Sequence, residues 1–172
     1  HWHGNEPGHH VPFMYVHVGS AWKAQRVVHH IAATQYGRGA NAVSGNDDAG
    51  QMSAWLVWAA LGLYPVAPGV RPIHYIIGSP LVPHAKLQLQ ILLGKQQGRP
   101  RDHVFTMTAV DARGKRVKDT ATQMYVQSAT LDGVPLQRAW LLHDELLLHS
   151  KLKFVMGDRP NMEWGNVLPT AG

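Results

Sequence analysis

Residues 44–65, SGNDDAGQMSAWLVWAALGLYP, constrain this chain more than any other stretch. Two adjacent carboxylates, Asp47 and Asp48, lie in a turn that runs straight into an apolar segment. Gly45, Asn46, Asp47 and Gly50 tolerate tight or left-handed backbone, so the turn is expected to be sharp. Met52, Trp55, Leu56, Ala59, Ala60 and Leu63 then recur at the spacing of one helical face. Val57 and Trp58 fall off that stripe, which predicts a helix that is apolar nearly all round and buried. Gly62 and Pro65 end it. Carboxylates at the mouth of a buried helix are costly to desolvate, so they need a partner or a purpose. Asp47 or Asp48 as a plain helix cap is one such purpose. Two aspartates behind Asn46, with a second polar constellation upstream, favour a site.

That constellation is HWHGNEPGHH, residues 1–10, with four histidines, Asn5 and Glu6. His1-x-His3 and Glu6-x-x-His9 are spacings that suggest zinc. Gly4 and Pro7-Gly8 deny them a common helical face, however, and there is no His-Glu-x-x-His pattern. The oxygens of Asn5 and Glu6 suit calcium better than a transition metal. The alternative is a polar loop whose histidines only make hydrogen bonds.

Periodicity organises the rest. A short helix is expected over 10–18, with Pro12 in its first turn and Gly19 closing it. Ser20 is the expected N-cap of a helix over 21–36, buried through Trp22, Val27, Val28 and Ile31, with His29 and His30 packed or facing solvent. After Tyr64 the pattern turns to strands: 73–77, 85–93, 104–110, 123–130 and 151–156. Asp132-Gly133 predicts a hairpin between 128–131 and 134–142. Residues 111–115 read as a turn. The expectation is therefore α+β, helices over 1–64 and an antiparallel, sandwich-like β region over 65–172.

The chain of 172 residues opens inside a motif and is expected to be a fragment of a longer protein. It has no cysteine, so disulfides and thiolate chemistry are excluded. No apolar run reaches the ~20 residues a bilayer needs. The net charge of +5 gathers at Lys95, Arg99, Arg101, Arg113, Lys115, Arg116 and Lys118, read as strand connections rather than a nucleic-acid face.

HGNEPGHHVPFMY, AWKAQ at residues 21–25, GNDDAGQMSAW, GLYPV, IGSP at 77–80, QSATLDGVPL and FVMGDRPNMEWG follow one another from His3 to Gly165. Together they resemble glycoside hydrolase family 92. The resemblance implies a calcium-dependent, inverting exo-α-mannosidase, exported to the periplasm or medium and acting on terminal α-mannosides of N-glycans or mannan, as an α-1,2-mannosidase does. It implies that 1–64 are the last helices of an (α/α)6 barrel and that 65–172 form the β-rich C-terminal region. By the same resemblance Asp48 is the general base, and Asn46 stands where many members carry a second aspartate and would orient the water. His3, Asp47 and His9 are expected at the substrate, and Asn5 and Glu6 on Ca2+. Inverting hydrolysis needs an acid and a base roughly 6.5–9.5 Å apart. The family's acid is a glutamate in an upstream Glu-Gly-Asn-x-Trp-Gln-Tyr stretch that these residues lack, so they are expected to be inactive alone. A catalytically dead, lectin-like mannoside binder is the competing expectation, and a His-rich zinc protein a third.

Overall fold

The computed structural model describes residues 2–91 and 101–169. Prolines open both short helical pieces at the start, a 3₁₀ turn Glu6–Gly8 and a 3₁₀ helix Val11–Val18, at positions where a missing N–H is harmless. Helix α1, Ala21–Gln35, buries Ala21, Ala24, Gln25, Val28, His29 and Ile31. Ser20 holds the N-cap position without a side-chain hydrogen bond. Its backbone, at φ −122° and ψ 50°, departs from the extended geometry that aims a capping hydroxyl. His29 is buried against Ser79, its Nε2 2.9 Å from Oγ, and His30 is exposed.

Helix α2, Gln51–Leu61, buries Met52, Trp55 and Ala59. Burial all round is not what the fold delivers: Val57 is 60% exposed. One side of α2 faces the core, and no described element covers the other.

The remainder forms two sheets. Strands β1 (Leu63–Pro65), β2 (His74–Ile77) and β7 (Trp140–Leu142) make an antiparallel three-stranded sheet in the order β1-β2-β7. The other five are β3 (His84–Ile91), β4 (Arg101–Val110), β5 (Tyr125–Leu131), β6 (Val134–Leu136) and β8 (Lys151–Gly157), in the order β3-β4-β8-β5-β6. Four expectations are corrected by this arrangement. The larger sheet is mixed, because β8 lies parallel to β4; the forty intervening residues, 111–150, supply the crossover that a parallel pair requires. The strand expected over 134–142 divides into β6 and β7, one for each sheet. A short helix, α3 (His143–Leu148), was not expected; Glu145 caps it by accepting the Leu142 N–H. Arg101 opens β4 rather than lying in a connection. His1, Lys95, Arg99 and the last two positions of the expected strand 85–93 lie outside the described residues.

A single apolar cluster joins the two regions, from Phe13, Val28 and Trp55 through Ile76, Ile77 and Leu141 to Phe105 and Phe154. Gln25 on α1 reaches the larger sheet, where its Oε1 accepts the Val126 N–H. The result is a mixed α+β fold in which α1 and α2 hold the loops of interest at one end.

Candidate active site

Two loops about forty residues apart in sequence meet through glycine. A Cβ on Gly4 would lie 2.5 Å from the Ser44 carbonyl oxygen, and one on Gly45, at φ +87°, 2.9 Å from the Gly4 carbonyl oxygen. No other residue permits that approach, and at Gly45 none adopts the backbone cheaply. The contact brings Asn5 and Glu6 on the first loop alongside Asn46, Asp47 and Asp48 on the second.

Asp47 takes the capping role. Ser53 donates its N–H to Asp47 Oδ1 at 2.8 Å and its hydroxyl to Oδ2 at 3.0 Å. Both oxygens thus serve the first turn of α2, whose N-cap position is occupied by Gly50.

Asp48 is exposed and strained, with φ 43°, and Ala49 follows at φ 56°. Left-handed backbone at two consecutive non-glycine residues is uncommon and collects at functional turns. The Asp48 carboxyl lies beside that of Glu6. Hydrogen bonding and charge from Glu6, then partial desolvation and the charge of Asp47, push Asp48 above the usual carboxylate range. Neighbouring carboxylates repel when both are ionised, and a shared proton or a cation relieves that repulsion. Glu6 Oε1 is buried and accepts no hydrogen bond, as befits an oxygen aimed at an ion rather than at an N–H. Among the described residues no three His, Asp or Glu side chains converge as a metal cluster. Any ion would therefore complete its oxygen shell from water, backbone carbonyls or groups beyond these residues.

Asn5 and Asn46 are exposed beside the pair, and the Asn5 side chain makes no capping bond. His3 and His9 lie behind it, 2% and 1% exposed, with rings stacked 4.4 Å apart. Burial and the neighbouring His9 push the His3 imidazole down to about 4, while Glu6 pulls the other way. Tyr36 and Trp55 enclose the pair, their own rings stacked at 5.7 Å. Burial, reinforced by Asp47, raises the Tyr36 hydroxyl. Sequence reasoning passed over Tyr36, Gln51 and Trp55 as site residues, because an aromatic at a helix end and a polar residue at a helix start look ordinary.

The relatives share this architecture. Residues 1–158 match the glycosyl hydrolase family 92 catalytic domain. A family GH92 inverting mannosidase from Bacteroides thetaiotaomicron superposes with a TM-score of 0.78 at 32% identity, over 98% of this chain and 21% of that one. An α-mannosidase of the same family and organism, in complex with mannoimidazole, gives 0.80 at 32% identity, over 99% and 20%. A secreted glycosidase of Arthroderma benhamiae, itself uncharacterized, is 26% identical over 162 residues, 94% of this chain and 19% of that protein. The chain thus spans about a fifth of the length of these relatives. With the motifs, the fold and the match over most of its residues in agreement, it belongs to glycosyl hydrolase family 92.

Proposed function

We propose that this chain is the C-terminal part of a calcium-dependent, inverting exo-α-mannosidase, and that it supplies the catalytic base and part of the ion site. The observation that carries the proposal is the facing pair Glu6 and Asp48, on loops clamped by Gly4 and Gly45.

Asp48 is the general base. Its carboxylate is exposed on a strained turn beside the Glu6 loop, where it can reach a bound water. It takes a proton from water as the water oxygen bonds to the anomeric carbon. The glycosidic carbon–oxygen bond breaks in the same step, and the leaving oxygen receives a proton from a glutamate upstream of these residues. The Asn46 amide orients the water by hydrogen bonding. Glu6 Oε1 and the Asn5 carbonyl would hold calcium, which when bound would order the adjacent 2- and 3-hydroxyls of mannose and favour the axial 2-hydroxyl. The substrates are terminal α-mannosides of N-glycans or mannan, with an α-1,2 preference, and the enzyme is exported, as its secreted relative is by name. The helices at the start would close an (α/α)6 barrel: Val18 and Val57, 71% and 60% exposed, present an apolar side of the kind other helices cover.

In the full-length protein, mannose release from an aryl α-mannoside should stop on chelation and return with calcium, and the product should form first as the β-anomer. Asp48→Ala should lower kcat by about 10³-fold. Mannoside binding with no turnover by the wild type would overturn the enzyme in favour of a lectin. Hydrolysis by the isolated 172 residues would show that no upstream acid is needed.

A further inference from the structure

A polar chain runs behind the Glu6–Asp48 pair from the first loop to the start of α2. The Tyr36 hydroxyl donates to the Met52 carbonyl at 3.0 Å, so its 2.8 Å contact with His3 runs from His3 Nε2–H to the tyrosine oxygen. His9 Nε2 lies 3.0 Å from the His3 carbonyl and must donate to it. His9 Nδ1 lies 3.1 Å from the Gln51 side-chain amide. Trp55 Nε1–H donates to the His9 carbonyl at 3.0 Å.

His3 and His9 flank the loop that carries Asn5 and Glu6; His9 bonds Gln51 and Trp55 of α2, and His3 reaches Met52 through Tyr36. Asp47, the neighbour of Asp48, is tied to Ser53 of the same helix. The start of α2 is thus the common reference for both carboxylates.

We infer that Tyr36, Gln51 and the His3–His9 pair are positioning residues that fix Glu6 relative to Asp48 by fastening the Asn5–Glu6 loop to the first turns of α2, onto which the Asp48 loop runs directly. This assigns His3 and His9 to holding the loop rather than to touching sugar. The inference rests on the mannosidase reading for the reaction by which it is measured. Groups behind a metal ligand or reacting carboxylate commonly change affinity or rate by about 10–100-fold when removed.

The test uses Tyr36→Phe, which keeps the ring stacked on Trp55 and deletes only the hydroxyl, and Gln51→Met, a half-exposed position whose change leaves the core intact. In the full-length protein both should lower kcat about tenfold or more, with KM within about threefold. Calorimetry on the chelator-stripped protein should show calcium binding about tenfold weaker. A merely structural role would lower the melting temperature and the active fraction but leave the calcium Kd of the folded protein unchanged. Wild-type kcat and calcium affinity in both variants would overturn the inference. If Asp48→Asn retained full turnover, or the wild type bound no calcium, the catalytic reading would be what failed. A crystal structure of Tyr36→Phe decides the inference in either case: Glu6 and Asp48 displaced from one another supports it, and the pair still facing as before refutes it.

Discussion

Asp48 in the helical region and Asp132 in the β region are the same residue in the same strained backbone, at φ 43° and 48°. Their surroundings are opposite. Asp132 begins the turn Asp132-Gly133 between β5 and β6, where left-handed backbone at both positions matches the twist of the strands. Desolvation alone would raise its carboxyl, but His149 and the N–H groups of Ser150 and Lys151 outweigh that and hold it below the usual range. Asp48 instead faces the carboxyl of Glu6 and is held above that range. Donors make an aspartate into a structural tie, whereas a second carboxylate makes it a group waiting for a proton or an ion. The contrast extends to the interior. His3, His9, Gln25 and His29 are buried in the helical region, against only Ser79 and Thr120 among the described residues of the β region. One half is built to aim polar groups and the other to exclude water.

The largest expected effect separates the two aspartates directly. In the full-length protein Asp48→Asn should reduce kcat by about 10³-fold, while Asp132→Asn, which suits the same turn, should leave kcat within about twofold. Equal losses in steady-state assays would erase the distinction.

The next effect concerns acid. Burial pushes the His29 imidazole from 6.5 down to about 4, with Asp119 opposing. His29 stays neutral in the fold while the unfolded chain takes up a proton below about 6.5, so its stabilising effect is complete above that pH. It is lost as pH falls toward 4, by a total of about 3 kcal/mol. Urea unfolding from pH 7 to 4 should show this slope, and His29→Gln should flatten it.

Smaller is Asp132→Ala, which removes the acceptor for Ser150 and Lys151 and puts a methyl side chain into left-handed backbone. A loss of about 1–2 kcal/mol is expected in the same assay, with kcat unchanged. Smallest is Asp47→Ala, which removes the cap on Ser53 and should cost about 1 kcal/mol. If Asp47→Ala instead abolished turnover as Asp48→Asn does, the division between cap and base would fail.

Much of the local structure was legible. The 3.6-residue periodicity and flanking glycines marked α1 and α2, and Asp132-Gly133 marked its hairpin, because each signal acts over a few residues. The parallel pairing of β8 with β4 was not legible, since strand neighbours are selected by packing over long separations. Nor was the burial of His3 and His9: a histidine-rich loop reads the same whether its rings face solvent or a tryptophan. The two halves of the candidate site were each visible as motifs, but nothing in either motif states that the other lies beside it.

The sequence by itself determined the elements, the acidic turn ahead of α2 and the family, because propensity, turn chemistry and ordered motifs reside in neighbouring residues. Tertiary structure alone decided which carboxylates meet. Their apposition depends on two glycines allowing backbone against backbone, while hydrogen bonds from Gln51 and Trp55 tie the first loop to α2. Such contacts form only when distant segments pack, and packing free energy belongs to the whole fold rather than to any stretch of it.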